Sequence, residues 1–261
     1  MQNGAALVTG GARRLGRAMA LSLADRGHDI ALHYSGSEAD ATETVAEIEA
    51  LGVRAVAVQA NLIVEDEMQT LVARATEALG KPLSVLINNA SIFEYDTIET
   101  ATRESWDRHL ESNLRAPFVL TQAFAEQALD AATDDHGEPL ATGCVINMVD
   151  QRVRKLTPEF MTYTIAKMGL WALTQTTARA LAPRIRVNAI GPGPTLQGER
   201  QSLGHFERQR QSTVLGRGAN PEDIVAAMRY ILDAPALTGQ LLCIDGGQHL
   251  GWNTLDVQGV E

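Results

Sequence analysis

Apolar runs of strand length recur along this chain at "AALVT" (5–9), "DIALHY" (29–34), "VRAVAVQ" (53–59), "LSVLIN" (83–88), "GCVINMV" (143–149), "RIRVNAI" (184–190) and "QLLCID" (240–245). Segments of helical periodicity lie between them, at 15–26, 38–51, 65–79, 104–130, 160–182 and 221–233. Strands that are apolar on both faces need cover on both faces, and alternation of strand with helix supplies it around a mostly parallel sheet. The expectation is an α/β fold, a doubly wound sheet of about seven parallel strands flanked by helices. With 261 residues, 45% of them hydrophobic, the chain can bury one large core, so residues 1–261 are expected to form a single domain without repeat or linker. Two stretches break the rhythm. Residues 130–143 read as a polar loop, and the long, glycine-rich stretch 191–210 reads as a candidate lid, with a substrate loop expected at about 194–212.

Composition narrows the function classes. A formal net charge of −10 argues against nucleic acid or an anionic membrane as partner, so an anionic ligand must be held by local groups. Cys144 and Cys243 each sit in an apolar stretch and read as reduced core thiols. The first residues carry no basic segment followed by a long apolar one, so a cytoplasmic protein without signal peptide or membrane span is expected. The six histidines show no ligand-like pairing, so no metal is expected, and no GxSxG is present.

The strand at 5–9 runs directly into "GGARRLG" and a helix, where a glycine turn at a helix amino end makes an anion site. That context points to a Rossmann-type fold and a dinucleotide. Gly10 would close the turn, and Gly16 would let helix and strand approach. Arg13 and Arg14 offer guanidinium forks suited to phosphate, alongside Leu15. Where an NAD-binding chain places an acid after its second strand, this one has His33, Tyr34 and Ser35, which favours NADPH over NADH, although Glu38 and Asp40 follow closely.

"MTYTIAKMGL" sets Tyr163 and Lys167 four apart on one helix face, where an ammonium is expected to favour the ionised phenol. With "TGGARRLG", "NNAS" (88–91), "ESNLRAPF", "YTIAK" and "RVNAIGPG" in one chain, the sequence resembles the short-chain dehydrogenase/reductase family over nearly its whole length. That resemblance implies that Tyr163 is the proton donor, that Lys167 holds the nicotinamide ribose and assists it, and that Asn113 supports a water-linked proton path. It also implies a homotetramer and cofactor contacts from Asn61, Leu62, Asn89, Ala90, Ser91, Pro192, Gly193 and Thr195. Asn61 stands where the family commonly has an aspartate near the adenine.

Two departures from the family pattern narrow the branch. Arg14 replaces a glycine, and Asp150 replaces the serine that precedes the tyrosine. A carboxyl group can relay a proton, which suits reduction of a C=N bond. Together with Phe93, these residues make the chain similar to the pteridine reductases. In that branch the counterpart of Arg14 touches cofactor and substrate, and an aromatic at the position of Phe93 stacks on the pterin. The resemblance thus implies NADPH-dependent reduction of a dihydrobiopterin, dihydromonapterin or dihydrofolate type of pteridine, with substrate contacts from Arg14, Ser91, Phe93, Asp150 and Tyr163. Asp150 has a competing use as a cap for the loop that follows, or as the partner of Arg152 or Arg154. The rival functions are a carbonyl reductase of a ketone, sugar or 3-oxoacyl thioester, and a catalytically silent NADP-sensing or scaffold protein.

Overall fold

Strands pair in parallel from one end of the main sheet to the other in a computed structural model that describes residues 4–198 and 201–252. In chain order the elements begin with β1 (Ala5–Val8), α1 (Arg14–Asp25), β2 (Asp29–Tyr34), α2 (Glu38–Ala50), β3 (Ala55–Gln59), α3 (Glu65–Leu79) and β4 (Val85–Asn88). There follow α4 (Arg103–Leu110), a π-helical turn (Glu111–Arg115), α5 (Ala116–Gln127), the short strands β5 (Ala132–Thr133) and β6 (Pro139–Leu140), and β7 (Gly143–Met148). The remainder is α6 (Met161–Ala180), β8 (Ile185–Pro192), α7 (Leu203–Gln211), α8 (Pro221–Asp233) and β9 (Leu241–Ile244). The seven-stranded sheet has the order β3-β2-β1-β4-β7-β8-β9, so the expected doubly wound, Rossmann-type fold is what the chain adopts.

The pleat explains the apolar runs. Ala6 and Val8 of β1 join one core with Met19, Leu23, Ile48 and Met228, while Ala5 and Leu7 join the other with Leu71, Leu79, Phe124 and Val187. Successive side chains of one strand therefore enter opposite helical layers, and each fully buried Leu contributes roughly 1.5–3 kcal/mol. The strand order reverses between β1 and β4, and a crevice opens where their carboxyl ends diverge.

Three segments differ from expectation. The single helix expected over 104–130 is two helices joined by the π turn, which carries Asn113. The polar loop holds the antiparallel pair β5 and β6, whose residues are exposed and leave no apolar pattern to read. The glycine-rich stretch contains α7, a helix with no buried residue and so no stripe that periodicity could detect. Glu199 and Arg200, within the expected substrate loop, and Met1–Asn3 lie outside the described residues. Among the described residues no helix is long and apolar enough to cross a membrane.

Candidate active site

The crevice at the strand-order reversal is a cavity of ≈ 520 Å³ lined from the β1–α1 turn, the β4 exit, the β7 exit and the start of α6. Its first wall is the turn itself. Gly10 has φ 60, the left-handed region that glycine enters without penalty. At Gly16 a Cβ would stand 2.1 Å from the Gly10 carbonyl oxygen, so only glycine fits there. Asn89 staples the turn by donating from Nδ2 to the carbonyls of Thr9 (2.9 Å) and Gly10 (3.1 Å). Thr9 Oγ1 in turn accepts the N–H groups of Asn89 and Ala90 at 2.9 and 3.0 Å. Arg13, at the helix N-cap, supplies no side-chain cap, and the first-turn N–H groups of α1 have no acceptor within the helix.

His33 stands elsewhere than a cofactor contact would require. It is 1% exposed, does not line the cavity and braces the turn from behind. Its Nδ1 accepts from the Gly10 N–H at 3.0 Å, so Nε2 carries the hydrogen and donates to the Ala60 carbonyl at 2.9 Å. Burial, the largest influence, pushes the imidazole down to about 4, so the ring stays neutral and that pattern holds.

Arg14 resolves the oddity of a non-glycine residue in this turn. Its backbone is left-handed (φ 54), the conformation the usual glycine would take, and its guanidinium donates to the carbonyls of Gln197 (3.0 Å) and Leu196 (3.3 Å) on the far wall. Arg14, Arg13 and Leu15 all line the cavity, with Tyr34 and Ser35 beyond them. Arg13 Nε lies 3.6 Å from an Asp40 carboxyl oxygen. Asn61 and Leu62 are absent from the lining; Asn61 Oδ1 accepts the Ile63 N–H at 3.3 Å and Leu62 is buried.

The deepest wall brings Asp150, Tyr163 and Lys167 together. Asp150 serves both uses the sequence left open, one with each carboxyl oxygen. Oδ1 accepts the Arg152 N–H at 2.8 Å and caps the short turn Gln151–Val153, while Oδ2 accepts the Tyr163 hydroxyl at 2.9 Å. Lys167 is 2% exposed and donates to the Met148 carbonyl at 2.7 Å. Burial pushes the Asp150 carboxyl above the usual carboxylate range, against the pull of the Arg152 N–H and of nearby Arg152, Tyr163 and Lys167. Burial also lowers the Lys167 amine to about 8, while the Asp150 charge opposes that shift.

The phenol departs from the expectation drawn from its lysine neighbour. Burial first, and then Asp150 as charge and acceptor, push Tyr163 well above its ordinary value. The ammonium, engaged at Met148, stands 5.6 Å from the phenol ring centroid and does not reverse this. Tyr163 is thus a protonated donor. Asn113 is fully buried and does not line the cavity; its carboxamide accepts from the Ile92 N–H (2.9 Å) and donates to the Ile92 carbonyl (2.8 Å), bracing the turn that carries Phe93.

Phe93 is 52% exposed at the cavity mouth, with Ser91 beside it. Its ring lies parallel to Phe160 at 4.3 Å and contacts the Tyr163 ring at 72° and 4.7 Å. Pro192, Gly193 and Thr195 line the opposite side. Phe206 and Gln209 of the expected substrate loop and Ser37 of the serine-bearing stretch after β2 also line it, as do Gln151 and Gln248, which sequence reasoning missed. Gln151 sits beside Asp150 and was open to detection; Gln248 arrives from a distant segment without a local signal.

Residues 10–249 match a family model described as enoyl-(acyl carrier protein) reductase. The 3-oxoacyl-(acyl-carrier-protein) reductase FabG of Staphylococcus epidermidis is 31% identical over 253 residues, which cover 95% of this chain and 100% of that protein. FolM alternative dihydrofolate reductase 1 from Brucella suis, solved in complex with NADP, superposes with a TM-score of 0.89 at 40% identity and 98% coverage of both chains. The corresponding FolM structure from Brucella canis, complexed with NADP, gives a TM-score of 0.88 at 38% identity, again with 98% of both chains covered.

Proposed function

Because the chain belongs to the short-chain dehydrogenase/reductase family, we propose that it is an NADPH-dependent reductase of a dihydropteridine. The observation that carries this reading is the Asp150–Tyr163 pair, a carboxyl and a phenol 2.9 Å apart, both biased by burial toward their protonated forms. The likeness to the Brucella FolM proteins, described as alternative dihydrofolate reductases, supports the same substrate class.

The site fits a dinucleotide. The cradle that a Cβ at Gly16 would fill, the unpaired N–H groups of α1, and Arg13, Ser35 and Tyr34 at the outer wall match a phosphorylated nucleotide. Asn89, Ala90, Ser91, Pro192, Gly193, Thr195 and Lys167 would hold the nicotinamide end. NADPH, when bound, supplies the hydride. Tyr163 would donate its hydroxyl proton to the substrate nitrogen as the ring carbon is reduced; Asp150, once it carries a proton taken from solvent, would then donate it to the phenolic oxygen, reversing the bond in which it now accepts, and would be left as the carboxylate until solvent reprotonates it. Lys167, which lines the cavity and donates to the Met148 carbonyl, would hold the nicotinamide ribose when the cofactor is bound. Phe93 offers a flat apolar face to the heterocycle, and Arg14, reaching across the mouth, fixes its polar edge. Leu196, Gly198, Phe206 and Gln209 would border the substrate.

The likeness to the 3-oxoacyl reductase favours a second reading, reduction of a carbonyl compound, in which the same Tyr163 protonates an alkoxide. NADPH oxidation followed with a panel of dihydropteridines, ketones and acyl thioesters separates the two. Turnover of a dihydropteridine that vanishes in Tyr163→Phe, with NADPH binding retained, is the expected result. Turnover of thioesters or ketones alone would overturn the pteridine reading, and no turnover of any would favour a cofactor-sensing protein.

A further inference from the structure

A buried polar chain runs from the turn carrying Phe93 to the first turn of the helix carrying Tyr163, behind the cavity rather than on its lining. Helix α6 starts behind Phe160, whose backbone is left-handed (φ 55) and whose side chain has no oxygen with which to cap. The cap comes instead from Asp96, 66 positions away from Thr162 in the sequence. The Asp96 carbonyl accepts the Met161 N–H at 3.4 Å, and Oδ1 accepts the Thr162 N–H at 3.1 Å. Its Oδ2 accepts the Thr162 hydroxyl and, at 3.2 Å, the Ser105 hydroxyl.

Thr162 Oγ1 also lies 2.7 Å from His109 Nδ1. Because His109 Nε2 accepts the Glu94 N–H at 3.1 Å, the neutral imidazole carries its hydrogen on Nδ1. That fixes the direction of every bond: Glu94 N–H to His109, His109 to Thr162, Thr162 to the Asp96 carboxylate. His109 is fully buried, Thr162 and Asp96 nearly so, and each makes the hydrogen bonds that burial demands. Burial pushes the Asp96 carboxyl up, but the donors from Thr162 and Ser105 outweigh it and hold the group below the usual carboxylate range.

We propose that Asp96, His109 and Thr162 are positioning residues that lock the first turn of α6 to the Phe93–Glu94 turn, so that the Tyr163 hydroxyl and the Phe93 ring meet one bound substrate in register. The inference rests on Tyr163 being the proton donor, as proposed above. Tyr163 is the third residue of α6, where a helix without its cap frays first, and a shift of about 1 Å in a reacting group can lower turnover by roughly 10²-fold. None of the three residues touches the reacting atoms.

The test compares Thr162→Val, which keeps shape but removes the hydroxyl, with Thr162→Ser, which restores it. Steady-state NADPH oxidation is measured on the substrate that the wild type turns over, and NADPH affinity by fluorescence titration. Expected for Thr162→Val is a fall in kcat of at least about tenfold, with NADPH affinity within about twofold of wild type, and for Thr162→Ser a kcat within about threefold. Asp96→Asn, which keeps volume and one acceptor, should show the same split and stands in if Thr162→Val fails to fold. Wild-type kcat in Thr162→Val, equal losses in Val and Ser, or NADPH affinity falling in step with kcat would each overturn the proposal. Undiminished turnover in Tyr163→Phe would instead remove the proton-donor assignment beneath it, and the two failures are distinct.

Discussion

Replacing Arg14 by glycine and by alanine should invert the stability order that helices normally obey. Alanine ordinarily stabilises a helical position by about 1 kcal/mol relative to glycine. Arg14 has φ 54, and an L-residue held in that region costs roughly 1–2 kcal/mol that glycine does not incur. Against this, glycine's larger loss of backbone freedom on folding costs about 0.5–1 kcal/mol. Both variants lose the guanidinium bonds to the Leu196 and Gln197 carbonyls, so that loss cancels in the comparison. The remainder leaves Arg14→Gly up to about 1.5 kcal/mol more stable than Arg14→Ala, equivalent to at most roughly 3–6 °C in Tm for a chain of this size. Urea unfolding of both variants, compared by midpoint at constant m, measures the difference directly. An alanine variant as stable as the glycine variant, or more so, would refute the strain argument. Both should also show a raised KM for the substrate, since the cation that reaches across the mouth is gone from each.

Other outcomes follow from the same geometry. Gly16→Ala should abolish NADPH binding and destabilise the fold by at least about 1–3 kcal/mol, because its Cβ would meet the Gly10 carbonyl oxygen at 2.1 Å; calorimetric titration and thermal unfolding check both parts. Between about pH 8 and 10.5 the unfolded chain holds a proton on Lys167 that the folded chain has released, so the contribution of this group to stability should rise with pH across that window. The wild-type minus Lys167→Met stability difference, followed with pH, would deny the lowered amine if it stayed flat there. Arg13→Ala should weaken NADPH binding by about tenfold and leave NADH binding nearly unchanged, an outcome that equal losses for both cofactors would exclude. Nitrogen NMR should find the neutral His109 ring carrying its hydrogen on Nδ1 and titrating below an ordinary histidine, because burial lowers its pKa; a midpoint at or above the ordinary one, or a hydrogen on Nε2, would contradict this.

What could be read from residues was what local rules govern. The β1 run ending in Gly10 and Gly16, and the four-residue spacing of Tyr163 and Lys167, are short-range patterns with one sensible geometry, and the structure brings them to one cavity. Asn113 was visible as a motif residue, yet the π turn beneath it was not, because five residues are too few to separate one helical period from another. His33 was misplaced for a different reason: the alternation of β2 sends it under the turn, where its imidazole replaces a backbone acceptor for Gly10. The cap of α6 escaped because its carboxylate and its helix are far apart in sequence, and nothing near Phe160 announces a partner. Helix α7 has no fully buried residue, and its cavity-facing side is only half-buried, so it carries little apolar periodicity to read.

On the function proposed above, the Asp150 carboxyl beside the Tyr163 phenol adapts this fold to a nitrogen heterocycle. The most direct test is the ratio of kcat/KM for a dihydropteridine to that for a 3-oxoacyl thioester, measured in wild type and in Asp150→Ser with NADPH affinity as control. The ratio should favour the dihydropteridine in wild type and fall by at least about tenfold in Asp150→Ser. A ratio that already favours the thioester in wild type, or one that the substitution leaves untouched, would contradict it.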